Sequence, residues 1–145
     1  MSITVRHLLD KKGHEVHSVA PNATVFETIE LMSKLEVAAL LVIERNKLAG
    51  IITERDCTQR VVLKERPAKL TLVTEIMTEN LICVSLNNNI SECMEQMNKN
   101  HIRHLPVVDR NVVKGIISIM DVIKNTLLEK EATIEQMEDY ITGNA

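Results

Sequence analysis

The segment Gly50-Ile51-Ile52-Thr53-Glu54-Arg55-Asp56 returns as Gly115-Ile116-Ile117-Ser118-Ile119-Met120-Asp121, 65 residues downstream. The same offset aligns the preceding stretch without a gap. Val19 pairs with Val84, Glu27 with Glu92, Met32 with Met97, Leu40 with Leu105, and Arg45-Asn46 with Arg110-Asn111. A gapless run carrying one order of element types twice marks an internal duplication. A unit of this size is too small to bury a sheet alone, so one copy is expected to pack against the other.

Each copy reads as strand, helix, strand, strand, helix. Thr24-x-x-Glu27 and Asn89-x-x-Glu92 have the spacing of capping boxes. Behind them Val25, Ile29 and Met32, and in the second copy Ile90, Met94 and Met97, follow the i, i+4, i+7 spacing of a helix with one buried stripe. Short aliphatic runs at 40–43 and 105–108 are followed by polar turns and second strands at 48–53 and 112–118. The motif Asp then opens a helix, over roughly 54–64 and 119–129. Past the second copy, Thr133-x-x-Gln136 has the spacing to cap a last amphipathic helix carrying Ile134, Met137 and Ile141 on one face, with Gly143 as its stop. The expected class is α/β of the α+β kind, each copy a short sheet packed by two helices. The expected organisation is a first repeat with its lead-in over 1–65, a linker containing Pro67 over 66–75, a second repeat over 76–130 and the C-terminal helix over 131–145.

Composition narrows what such a duplication can bind. Only Phe26 and Tyr140 are aromatic, so the core must be aliphatic and a stacking platform for single-stranded nucleic acid is excluded. The net charge of −3, with scattered Lys and Arg, weighs against a phosphate-backbone surface but leaves room for one small phosphorylated ligand. Cys57, Cys83 and Cys93 lie far apart without a CxxC, and the five histidines form no metal-ligand cluster, so no metal is expected. There is no signal-like start and no apolar run near the length of a membrane span, so the cytoplasm is the expected compartment and no membrane is a partner. No nucleophile–base pair or paired carboxylates suggest an enzyme.

The repeated Gly-hydrophobic-x-hydrophobic-Ser/Thr-x-x-Asp segment, complete as Gly50, Thr53, Asp56 and again as Gly115, Ser118, Asp121, resembles the cystathionine-beta-synthase-type (CBS) domain family. The Leu105-Pro106-Val107-Val108-Asp109 stretch, the Ile76-Met77-Thr78 opening and the tandem spacing add to the likeness, which covers about residues 12–128. Val5-Arg6-His7-Leu8-Leu9 with Lys12-Gly13 and the C-terminal tail looks like the small bacterial stand-alone CBS pairs. The resemblance implies two repeats with pseudo-twofold symmetry and clefts between them that take adenosine derivatives: AMP, ADP, ATP, NAD(H) or S-adenosylmethionine. It also implies a regulatory role without catalysis, a homodimer, and a regulated protein that the sequence does not identify.

The Ser/Thr-x-x-Asp spacing itself suits a ribose. An Asp in a helix's first turn can accept from ribose hydroxyls, a charge-assisted contact worth roughly 1.5–3 kcal/mol. Thr53 and Ser118 can donate to a ribose or phosphate oxygen, or serve only as helix caps. Before its first long strand, copy two carries Arg103-His104 where copy one has Ala38-Ala39. In AMP-sensing family members basic residues at this point meet phosphates, so Arg103 and His104, leading into Leu105 and Pro106, are the implied phosphate residues. Copy one has Arg55 inside its motif, with Arg60 beyond it. Shifting by 65 sets Gly13, Val16 and His17 against Thr78, Leu81 and Ile82. Leu81 and Ile82 would make an apolar slot for the base, and Val16 a similar one in copy one, a pattern from which His17 departs. Lys12, beside Gly13, completes the expected binding set. The cations tilt the expected ligand toward AMP or NAD(H), with S-adenosylmethionine or a ligand-free adaptor as the alternatives.

Overall fold

The computed structural model describes residues 3–143, so Met1, Ser2, Asn144 and Ala145, at the outer edges of the expected first repeat and last helix, lie outside the described residues. The chain is an α+β protein. Helix α1 (Val5–Lys12) leads into β1 (Ser18–Val19), α2 (Val25–Leu35), β2 (Ala39–Glu44), β3 (Lys47–Thr53) and α3 (Glu54–Cys57), which runs on into a π-helical turn at Thr58–Val62. A 3-10 turn at Val73–Glu75 precedes α4 (Ile90–Asn100), β4 (His104–Asp109), β5 (Val112–Ser118) and α5 (Ile119–Thr142). The first sheet has the order β1-β2-β3, with β1 parallel to β2 and β2 antiparallel to β3. The second keeps β4 and β5, and its counterpart of β1 shrinks to one parallel bridge, Val84 to Val107.

The local devices follow from the residues. Thr24 and Asn89 close capping boxes with Glu27 and Glu92. Both hairpins turn on an Arg-Asn pair with positive φ at each residue (51° and 64°, then 50° and 64°), the two-residue geometry whose twist matches the flanking strands. Two expectations are corrected. The buried stripe of α2 is Val25, Thr28 and Met32, and that of α4 is Ile90, Cys93 and Met97, so Ile29 faces outward. Burial of Thr28 is tolerated because its hydroxyl donates to the Thr24 carbonyl at 2.9 Å. Nor does a new helix start at Thr133: α5 is continuous to Thr142, and the Thr133 hydroxyl donates back to Glu129 O within it. Gly143 does end it, in the left-handed conformation (φ 78°). No helix among the described residues is long and apolar enough to cross a membrane.

The chain divides into two compact units, and their boundaries cut across the repeats. One comprises the N-terminal residues through His14, Cys83–Asp109 and the chain from Lys114 on; the other comprises Glu15–Ile82 with Arg110–Val113. Helix α1 thus precedes the first copy in sequence but belongs to the second copy's core. Val5, Leu8 and Leu9 are buried, Val5 N–H donates to Asn88 O at 2.8 Å, and Ile90 N–H donates to Ile3 O at 3.0 Å. Within the other unit, the segment preceding the second copy completes the first. Val73 N–H donates to Ala23 O at 2.8 Å, and Thr78 exchanges hydrogen bonds with Ile51 at 2.9 and 3.0 Å.

The motif glycines make room for these lead-ins. A Cβ on Gly50 would lie 2.7 Å from Met77 Sδ and 2.9 Å from Thr78 O, and one on Gly115 would lie 2.9 Å from Leu9 Cδ2. Leu9 therefore occupies against Gly115 the place that Met77 occupies against Gly50, so the lead-ins correspond with three more residues of offset than the repeats do. Gly13 is accordingly not the counterpart of Thr78. Because a backbone carbonyl cannot yield as a leucine tip can, Gly50→Ala should destabilise the protein by about 1–3 kcal/mol and by more than Gly115→Ala, as chemical denaturation of the two variants will report.

The interior is aliphatic, as the composition requires. In the unit holding the first copy it gathers Val25, Met32, Leu40, Val42, Ile52 and Val61 with Val73 and Ile76 of the lead-in. Cys57 and Cys93 are buried, Cys83 is exposed, and all three are free thiols. Burial first, then neighbouring carboxylates, pushes the Cys57 and Cys93 thiols up to about 11, so neither serves as a nucleophile near neutrality.

Candidate functional site

The expected site residues fall into two sets. Lys12, Gly13, Arg103, His104, Leu105, Pro106, Ser118 and Asp121 belong to one unit, and Val16, His17, Thr53, Arg55, Asp56, Thr78, Leu81 and Ile82 to the other.

In the first set, Ser118 ends β5 and caps α5. Its hydroxyl accepts from Asp121 N–H at 3.3 Å, while its own N–H and Oγ donate to Asp121 Oδ2 at 2.8 and 2.9 Å. Lys12, at the last turn of α1, adds its ammonium to the same oxygen at 2.7 Å and a second bond to Ile116 O at 2.7 Å. The first N–H of α5, on Ile119, donates to Arg103 O at 2.9 Å, which brings the Arg103-His104 step beside the helix start. Arg103 is exposed and His104 half-buried, whereas Leu105 is wholly buried and Pro106 buried, so these last two build the core beneath the cluster.

Electrostatics give the cluster a definite character. Burial opposes ionisation of Asp121, but hydrogen bonds from Lys12 and Ser118 outweigh it and hold the carboxyl below its ordinary value. Burial first, then Lys12, holds the His104 imidazole below its ordinary value; Asp121 pulls the other way and Arg103 adds to the depression. Oδ2 of Asp121 is thus filled by three donors, and among the described residues Oδ1 has no hydrogen-bond partner. Of the carboxylate that the motif offers to ribose hydroxyls, one oxygen is open, with the Lys12 ammonium on its twin and the His104 imidazole within electrostatic reach. The Lys12–Asp121 pair, partly exposed on both sides, adds about 0–1 kcal/mol to folding.

The second set repeats the cap without the cations. Thr53 N–H and Oγ donate to Asp56 Oδ2, both at 3.0 Å, and Asp56 N–H donates to Thr53 Oγ at 3.1 Å. Ala38 and Ala39 stand where the other copy has Arg103 and His104, and Asn80 takes the lead-in position matching Lys12. Arg55 is exposed. Arg60 spends its guanidinium on Ile76 O at 2.9 Å and Met77 O at 3.4 Å, which ties the π-helical turn to the lead-in. Thr78 is engaged in the ladder with Ile51 and His17 O accepts from Leu41 N–H at 3.4 Å, while Val16, Leu81 and Ile82 are half-buried. Position 106, the repeat counterpart of Leu41, is a proline and offers no N–H, so the carbonyl matching His17 O gains no such bond. Sequence reading placed Lys12 in the set only through family likeness; its pairing with Asp121 across 109 positions has no local signal. Among the described residues no group of three side chains could hold a metal ion.

The sequence profile described as CBS domain matches residues 3–63 and 73–127. A mitochondrial CBS domain-containing protein of Arabidopsis thaliana is 32% identical over 151 residues, 98% of this chain and 73% of that protein. The CBS domain-containing protein YhcV of Bacillus subtilis is 32% identical over 123 residues, 85% of this chain and 87% of that one. A crystal structure of a CBS domain superimposes with a TM-score of 0.84 at 41% identity, covering 88% of this chain and 99% of that one. A CBS domain pair solved in complex with 5′-methylthioadenosine and S-adenosyl-L-methionine shares the fold, with a TM-score of 0.79 at 23% identity over 89% of this chain and 99% of that one.

Proposed function

The chain belongs to the CBS domain family, and from that premise we propose that it is a non-catalytic regulatory module that binds an adenine nucleotide, AMP or NAD(H), at the Lys12–His104–Asp121 cluster. The observation that carries the reading is the open Oδ1 of Asp121 beside the Lys12 ammonium and the His104 imidazole, with Arg103 next in the chain. A ribose hydroxyl donates to that oxygen, and the 5′-phosphate lies toward Lys12, Arg103 and His104. Fold relatives take adenosyl compounds, as the pair solved with 5′-methylthioadenosine and S-adenosyl-L-methionine does. That neighbour makes S-adenosylmethionine the second reading. It is the weaker one, because a sulfonium gains nothing from a site already rich in cations. The ligand acts by stabilising one arrangement of the module, read by a regulated protein, and the module works as a homodimer.

A thermal-shift screen with AMP, ADP, ATP, NAD, NADH and S-adenosylmethionine tests this. A ligand at 100 times its dissociation constant adds about 2.7 kcal/mol, a rise of several degrees. If S-adenosylmethionine alone shifts the protein, the second reading replaces the first; if nothing does, the module is an adaptor without a small-molecule ligand.

The titration of His104 separates the readings further. Its imidazole is held low in the free protein, and an adjacent phosphate raises it, so the complex carries more protons than its separated parts. NAD affinity should therefore rise as the pH falls from about 8 to 6, a range in which its pyrophosphate keeps a constant charge. Calorimetry in two buffers of different ionisation enthalpy should register the proton uptake, and a flat profile counts against a phosphate beside His104.

A further inference from the structure

We propose that the distal part of α5 docks on the basic, apolar surface around Phe26, Val62 and Leu70 of a second copy of this chain. This names the surface of the homodimer read above and rests on that reading.

Beyond Glu129 every described residue of α5 is exposed. The helix nevertheless carries a continuous apolar stripe there: Ile134, Met137 and Ile141 are 55%, 63% and 81% exposed, at the 3-4 spacing of one helical face, in line with Leu127. A stripe of this kind without a partner marks a contact surface. Its surroundings are acidic. Glu129, Glu131, Glu135, Glu138 and Asp139 stand against Lys130 alone. Pairing α5 with α5 of another copy would set these carboxylates against one another, and like charges facing across an interface are costly.

The unit holding the first copy presents the opposite surface. Val62, Leu63 and Leu70 are 65%, 70% and 79% exposed, and Phe26, on the outward face of α2, lies under the Lys69 ammonium at 4.8 Å. Of the cations from Arg60 to Leu70, Arg60 is held by the Ile76 carbonyl at 2.9 Å and Arg66 by Glu75 at 2.6 Å, which leaves the exposed Lys64 and Lys69, beside Glu65, as the basic rim. Apolar stripe meets apolar patch, and acidic flanks meet a basic rim. Each chain carries one of each surface, so a pair in which each tail meets the other copy's patch uses both.

Sedimentation equilibrium of the full chain tests the assignment with two charge reversals on exposed side chains, Glu131→Lys/Glu135→Lys/Glu138→Lys in the tail and Lys64→Glu/Lys69→Glu in the patch. Unchanged circular dichroism and thermal unfolding confirm that each variant is folded. Each alone should raise the dimer dissociation constant at least ~10-fold, and an equimolar mixture should regain wild-type affinity as a heterodimer, because both of its interfaces again join opposite charges. A monomeric wild-type protein overturns the homodimer reading and this inference with it. A dimeric wild-type protein whose patch reversal leaves the affinity intact overturns only the docking surface, as does failure of the mixed variants to reassociate.

Discussion

Truncating Leu9 to alanine should lower the stability of the protein by about 2–5 kcal/mol and its Tm by roughly 5–15 °C. Leu9 is fully buried, and its Cδ2 lies 2.9 Å from where a Cβ on Gly115 would stand, so the leucine tip packs directly on the β5 backbone. Alanine there removes that packing and leaves a void between α1 and β5. The loss should also reach the site. Lys12 follows Leu9 by three residues on the same helix, and its ammonium holds both Asp121 and the Ile116 carbonyl. A loosened α1 should therefore weaken nucleotide binding beyond what global unfolding explains, which is measurable by titration well below the Tm. Val112→Ala, at a position 51% exposed, should change stability by no more than about 0.5 kcal/mol. Equal effects at the two positions would show that α1 is not part of the core.

The second large effect is on binding. Asp121→Asn keeps the size and an acceptor oxygen for the Ser118 cap but removes the charge. The lost charge-assisted contact to ribose should raise the nucleotide dissociation constant about 10–100-fold. The same change should cost folding about 1 kcal/mol or less, since what remains at stake is one cap and one exposed ion pair. Asp56→Asn weakens an equivalent capping contact but removes no partner of Lys12, Arg103 or His104, so it should cost stability similarly while leaving affinity at the cluster within about threefold of wild type. Calorimetric titration of both variants decides the matter. Equal losses would place the ligand elsewhere, and no loss at Asp121 would reduce the motif to its capping role.

Much of this protein is written in local pattern. The two copies, their hairpins on Arg45-Asn46 and Arg110-Asn111, and the boxes at Thr24 and Asn89 were legible because each depends on residues within a few positions of one another. The same holds for the aspartates that open α3 and α5, and for the aliphatic core that the near absence of aromatics imposes. Spacing alone misled the reading at two helical positions. Ile29 has the right spacing for a buried stripe, but Thr28 takes that place because its hydroxyl is satisfied by its own helix. Thr133 has the spacing of a cap, but nothing breaks the helix before it, and a continuous run of good helix formers keeps its intrahelical hydrogen bonds. Lead-in and repeat obey different offsets, since the lead-ins answer to the glycines they pack against rather than to the duplicated strands. The sequence by itself thus determined the duplication, the order of elements and the place of each motif aspartate. Only the tertiary structure decided that α1 joins the second copy and the 71–78 segment the first, and that Lys12 reaches Asp121. Those outcomes depend on side chains that meet over many tens of residues, and a local pattern carries no record of them.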